Sequence, residues 1–184
     1  VYDTKAINED SQAFDADINT TNSYIQYNYS HNNPRGFLLF CPWAGGSYTN
    51  TNTVRYNISQ SDGGDSTGGI FVLTGGAGNN GFADNRIYNN TIYMDTNPAI
   101  TLNWGASQFT DATDFVFTNN IFYSEGDRGW DGSITTSGDY NAYFGGNTQR
   151  NDVHGIQGDP GLVSPGTGAI GRNSVDGYKL KTGS

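Results

Sequence analysis

The feature that most constrains this chain is a period. Four short segments ending in Asn recur: Tyr24-Ile25-Gln26-Tyr27-Asn28, Thr53-Val54-Arg55-Tyr56-Asn57, Arg86-Ile87-Tyr88-Asn89-Asn90 and Phe115-Val116-Phe117-Thr118-Asn119-Asn120. Counted at the last Asn, the steps are 29, 33 and 30 residues, and a looser copy, Asp139-Tyr140-Asn141, lies 21 residues on. A second set keeps the same phase: Gly36-Phe37-Leu38-Leu39-Phe40, Gly69-Ile70-Phe71-Val72-Leu73 and Pro98-Ala99-Ile100-Thr101-Leu102. Phe37 to Asn57 and Ile70 to Asn90 both span 20 residues, so two independent markers share one spacing. That is the signature of an internal structural repeat.

The segment after each Asn is again strand-like, as in Thr91-Ile92-Tyr93-Met94 and Ile121-Phe122-Tyr123-Ser124. One period therefore holds three short strands, with Asn at the bend between the second and third and Gly- and Asp-rich loops after the third. Three strands in about 30 residues without a helix describe one coil of a parallel β-helix, which buries its apolar face only by stacking on other coils. The bend calls for a left-handed backbone, which Asn accepts at low cost. Asn28, Asn57, Asn90 and Asn120 are expected to stack into a hydrogen-bonded internal ladder.

Composition agrees. Charged residues are only 15% of the 184, with 26 Gly and 14% aromatics, which argues against disorder and against long surface helices. Eighteen acidic against nine basic residues give a net charge of −9, which excludes nucleic acid as a partner and weighs against a polyanionic sugar. No apolar run approaches the length of a membrane-spanning helix, so membrane insertion is not expected. The single Cys41 excludes an internal disulfide and reads as a buried thiol.

The strand–Asn–strand units resemble the right-handed parallel β-helix superfamily of pectate-lyase-like, polysaccharide-active proteins. The segment Gln12-Ala13-Phe14-Asp15-Ala16-Asp17, followed by Ile25 to Asn32 and Gly36-Phe37, is similar to stretches of large secreted bacterial β-helix proteins. Asp159 to Val163 and Asp176 to Leu180 resemble the final strands of such domains. The resemblance implies an all-β, right-handed solenoid of about five coils, an extracellular location, and a polysaccharide or oligosaccharide partner. It is silent on activity, because the fold hosts lyases, hydrolases, binding modules and structural spikes. The chain, 1–184, reads as one β-helix domain with repeats over about 12–146 and an irregular segment from 147. Its two ends lack capping elements, so it reads as a fragment of a longer protein whose ends meet further coils or partner chains.

Chemistry is sought on the first-strand face. Aligning Phe14 with Phe37, Ile70 and Ile100 puts Phe14 and Ala16 inside. Asp15 and Asp17 then point outward, roughly 7 Å apart at two residues of strand rise. The same alignment places Leu38, Phe40, Phe71 and Leu73 outward, an apolar stripe that suggests a groove or a loop-covered surface. Asp15 and Asp17 are a candidate acid/base pair, since neighbouring carboxylates split their proton affinities. With Asp10, and with Glu9 beside it, they are also a candidate Ca²⁺ cluster of hard oxygen ligands. His31 is a candidate acid or base, and Arg35 is the proton abstractor that a lyase of this fold would imply, although Arg is hard to deprotonate. Trp43, Tyr48 and Trp104 lie in loops after strands and present flat faces suited to a sugar ring. Tyr27, Tyr56 and Tyr88 read as a stacked ladder along the coil. The expectation is a glycoside-hydrolase-like or lyase-like protein; the alternative is a non-catalytic carbohydrate-binding or structural module.

Overall fold

The structure, a computed structural model, describes residues 1–5, 10–43, 46–65, 68–74, 81–104, 114–131, 133–146 and 152–184, apart from the side chain of Arg172. It is all-β with parallel pairing throughout its named strands. The chain first lays down β1 (Gln12–Ala16), β2 (Thr20–Thr21), β3 (Tyr24–Gln26) and β4 (Tyr29–His31). It repeats this as β5 (Gly36–Phe40), β6 (Thr49–Asn50), β7 (Thr53–Arg55) and β8 (Ile58–Gln60), and again as β9 (Gly69–Leu73), β10 (Phe82–Ala83), β11 (Asn85–Tyr88) and β12 (Thr91–Met94). Then come β13 (Ala99–Asn103), β14 (Phe115–Thr118) and β15 (Ile121–Ser124), followed by β16 (Ser137–Asp139), β17 (Ala142–Phe144) and β18 (Ile156–Gln157).

Each strand pairs with its counterpart one repeat away. The sheets run β1-β5-β9-β13, β2-β6-β10, β3-β7-β11-β14-β16 and β4-β8-β12-β15-β17-β18. This connectivity is compatible with a solenoid. It differs from the expected three strands by a fourth, the two-residue strands β2, β6 and β10. These are too short to show a periodicity of their own in the sequence.

One face of each long sheet supplies the core. Ala16, Phe40 and Leu73 stack from the first sheet, Val54, Ile87 and Phe117 from the β3 sheet, and Ile92, Phe122 and Tyr143 from the β4 sheet. Each fully buried Phe or Leu contributes about 1.5–3 kcal/mol, so the stack rather than any one repeat holds the structure. Trp130 forms an isolated bridge to Thr101 and packs edge-on against Phe117 and Phe122, which continues the first-sheet position past β13.

The Asn ladder is present and longer than the four residues expected. Asn28 Nδ2 donates to Asn57 Oδ1 at 3.0 Å, Asn57 to Asn90 at 2.9 Å, Asn90 to Asn120 at 3.0 Å and Asn120 to Asn141 at 3.0 Å. Asn141 donates to Asp152 Oδ2 at 2.8 Å, where the row ends. Each receiving oxygen also accepts the backbone N–H of the Asn below it. Each interior Nδ2 also donates back to a carbonyl (Ile25, Val54, Ile87 or Phe117). Every interior carboxamide is thus saturated, as burial requires.

The left-handed backbone sits one residue earlier than expected. Tyr27, Tyr56, Asn89, Asn119 and Tyr140 have φ of 53–59°, and the ladder Asn after each of them does not. The Asn is chosen for its carboxamide, and the preceding residue makes the turn. The same left-handed-then-Asx unit occurs at two further bends. Thr51 and Asp84 precede Asn52 and Asn85, and Asn52 Nδ2 donates to Asn85 Oδ1 at 3.1 Å. Asn32 and Ser61 precede Asn33 and Asp62, and Asn33 Nδ2 donates to Asp62 Oδ1 at 2.8 Å.

The C-terminal segment does not add long parallel strands, as its likeness to terminal strands suggests it would. Beyond the two-residue β18 it folds back over the outer face of the β4 sheet. Leu162 and Leu180 form an antiparallel bridge, Arg172–Tyr178 is a 3-10 helix, and Tyr93, Leu162 and Tyr178 make a second, smaller core. Gln60 ties it down by exchanging hydrogen bonds with the Gly168 backbone at 2.8 and 3.0 Å.

Candidate functional site

The registers correct the phase of the first-strand face. Phe14 pairs with Leu38 and Leu38 with Phe71, while Ala16, Phe40 and Leu73 form the next inward row. Leu38, Phe40, Phe71 and Leu73 therefore lie in the core rather than on the outside, together with Phe37, Ile70 and Ile100. Consecutive residues enter the core at the start of each strand, so a strict alternation counted from Phe37 runs one residue out of phase after it. The outward row is Asp15, Leu39, Val72 and Leu102. Leu39 and Val72 are buried outside the main core, so this outer face is covered, and the exposed Asp15 stands at its open end.

Asp15 and Asp17 both face out, as expected. Although Asp15 as a whole residue is exposed, partial desolvation of its carboxyl first, then the charges of Asp17 and Asp10, push that carboxyl up to about 6. Cys41 joins them, because its N–H donates to the Ala16 carbonyl at 2.9 Å and carries the strand past Phe40. Its thiol is half-buried rather than fully buried. Burial, then Asp17, Asp15 and Asp10, push it up to about 11, so it stays a thiol near neutrality. One step of register beyond the Ala16–Phe40 pair would place Cys41 there from sequence, but an isolated Cys carries no such signal. Trp43 (61% exposed) and Tyr48 (41%) come next on the loop after Cys41. Ala44, Gly45 and Glu9 lie outside the described residues.

Among the described residues no three His, Cys, Asp or Glu side chains converge to hold a cation. Asp17 Oδ1 accepts the Ile18 N–H at 2.7 Å.

The structure does not bring His31 or Arg35 to this cluster. His31 lies in β4, on a different sheet, sandwiched between Tyr2 at 4.9 Å and Tyr29 at 5.0 Å, with Nδ1 2.8 Å from Asn32 Oδ1. Arg35 precedes β5 at the end of the sheet opposite Asp15. It pairs with Asp65 at 3.6 Å and stacks on Trp104 at 5.3 Å. Since Trp104 comes after β13 and Arg35 before β5, the two meet across β9, over the face on which Val72 is buried. Trp104 is thus part of the cover of that face, whereas Trp43 and Tyr48 remain open.

The cluster offers a carboxyl of raised proton affinity, Asp15, with the charges of Asp17 and Asp10 acting on it. No family model matches the chain. Over 116 residues, 62% of its length, it is 40% identical to a lacto-N-biosidase of Bifidobacterium longum subsp. longum, and it spans 6% of that protein. No helix among the described residues is long and apolar enough to cross a membrane.

Proposed function

We propose that the chain is part of an extracellular, glycoside-hydrolase-like protein of the right-handed parallel β-helix superfamily, built of about five coils and acting on an oligosaccharide or polysaccharide. The observation that carries this reading is the 40% identity to a protein named for cleaving a glycan. The acidic cluster is the proposed centre. Asp15, its carboxyl raised to about 6, donates a proton to the glycosidic oxygen as the anomeric C–O bond breaks, and Asp17 or Asp10, as the opposing carboxylate, takes a proton from the water that adds to the anomeric carbon. Trp43 and Tyr48 offer the sugar a stacking face. Hydrolysis is preferred to lyase chemistry because Arg35, paired with Asp65 and stacked on Trp104, is not placed to abstract a proton at this cluster.

The test is turnover of an oligosaccharide panel by the chain and by its Asp15→Asn and Asp17→Asn variants. Each variant is expected to lose about 10²–10⁴-fold in kcat/KM with its melting temperature nearly unchanged. Wild-type activity is expected to fall as pH rises through about 6, and Asp15→Asn removes that limb. Binding without product formation, unaltered by either variant, would instead favour a non-catalytic carbohydrate-binding module.

A further inference from the structure

The outer face of the β3-β7-β11-β14 sheet is built differently from the acidic cluster. Inward-pointing Ile25, Val54, Ile87 and Phe117 alternate with two outward rows. One row runs Tyr24, Thr53, Arg86 and Val116; the other runs Gln26, Arg55, Tyr88 and Thr118. Between them lies a groove of about 630 Å³.

Arg55 is fixed in it. Its Nε donates to Gln26 Oε1 and its Nη1 to Tyr88 Oη, both at 2.8 Å, and the guanidinium lies over the rings of Tyr24 and Tyr56 at 5.3 and 5.4 Å. All these partners are neutral, and no hydrogen bond among the described residues engages Nη2. Arg86, exposed on the neighbouring strand, sits diagonally to Arg55, about 7–8 Å away by sheet geometry. Neither has a carboxylate partner among the described residues, on a chain with a net charge of −9. Asp139, further along the Arg55 row, is occupied by His154 at 2.8 Å. Two adjacent cations, one of them held by neutral groups, in a protein with twice as many acids as bases, leave a local positive site facing solvent.

We propose that this groove binds an anionic sugar residue, a saccharide ring bearing a carboxylate or sulfate. The ring stacks on Tyr24 (63% exposed) and Tyr88, and the anion takes the free donors of Arg55 and Arg86. The proposal rests on the carbohydrate reading above and adds a subsite on a different sheet from Asp15.

The test is titration of the ¹⁵N-labelled chain with trigalacturonate, its full methyl ester, galactose 6-sulfate and polyglutamate, tracking the arginine Nε–H signals. Trigalacturonate or galactose 6-sulfate is expected to shift Arg55 and Arg86, and the tighter of the two names the acid. The methyl ester, alike in shape but uncharged, is expected to bind at least tenfold more weakly. Arg86→Gln, on an exposed strand position, is expected to cost about tenfold without moving the melting temperature. Arg55→Lys keeps the charge but loses the fork, and is expected to weaken binding while keeping its salt dependence. Equal binding of acid and ester, or no effect of Arg86→Gln, overturns the anion site while leaving the carbohydrate reading standing. Polyglutamate binding as tightly as the sugar acids overturns it in favour of an acidic peptide. No binding or cleavage of any saccharide, neutral or acidic, overturns the carbohydrate reading and this proposal with it.

Discussion

Asp62 shows what a single side chain does in this architecture. It is wholly buried and receives four donors: Ser30 Oγ, Ser59 Oγ, and the N–H and Nδ2 of Asn33. Burial pushes its carboxyl up to about 6, and those hydrogen bonds only partly offset it. A folded-state value above the unfolded one means the native chain binds the proton more tightly. Stability attributable to Asp62 is therefore full below about pH 4 and is lost as pH rises to about 6. Asp62→Asn, which keeps an oxygen for Asn33, is expected to remove that dependence and gain about 1–3 kcal/mol at pH 7 relative to pH 4. Denaturant melts of both proteins at the two pH values check it; parallel pH curves would discard the idea. None of this is legible in the sequence, because Ser61-Asp62-Gly63-Gly64 reads as an ordinary solvated loop. Only the third Asx row, which places Asp62 above Asn33, makes it internal. The left-handed tyrosines are hidden for a related reason. Tyr has no intrinsic claim to that conformation, which costs a side chain of its kind about 1–2 kcal/mol, and Asn at the very next position is the more obvious candidate.

Among elements, the bends are more legible than the strands. The Asn spacing identifies the ladder because one carboxamide must both give and receive at every level, and few residues can. Interior rungs should accordingly matter more than terminal ones. Asn90→Ala strands the N–H of Asn57 and takes one hydrogen bond each from the Asn57 Nδ2 and the Asn120 oxygen, and is expected to cost about 3 kcal/mol. Asn28→Ala removes one half-buried rung with no Asn beneath it and is expected to cost about 1 kcal/mol. Urea midpoints at constant slope measure both, and equal losses would contradict a ladder whose strength lies in its interior. The first strands read one residue out of phase beyond Phe37. Hydrophobic alternation cannot fix phase in a run such as Phe37-Leu38-Leu39-Phe40, where all four residues are buried. The acidic pair survives that error, because Asp15 and Asp17 flank Ala16, whose small side chain points inward. The repeat places Arg35 just before the Gln12–Gly36 pair, which is the other end of the first strand from Asp15, and the bends carry His31 to another sheet.

For the whole molecule, stability belongs to the stack. Each level pairs its strands only with those of its neighbours, so opening should proceed from the periphery. The backbone N–H groups of Asn57, Asn90 and Asn120, each bonded to the next carboxamide, are expected to be the slowest to exchange with deuterium. Those of the exposed β18 should exchange fastest among the named strands. Uniform protection along the chain would mean that the levels do not open independently. Stacked parallel sheets can be anticipated from the repeat alone. The C-terminal clamp over the β4 sheet cannot, because its apolar residues, Leu162, Val175 and Tyr178, are isolated in sequence and become a cluster only against Tyr93 and Ile121.

The ladder also has a direction. Every amide in it hands its proton the same way, from Asn28 towards Asp152, so the side-chain dipoles add head to tail, much as peptide dipoles do in a helix. The positive end of that summed dipole falls on Asp152, the one member of the row that has no amide to donate onward. A carboxylate can therefore end such a row but cannot stand within it. In a chain of this kind an Asp at a rung position acts as a full stop, and the Asx residues at the bends, read in order, spell out how far each row runs.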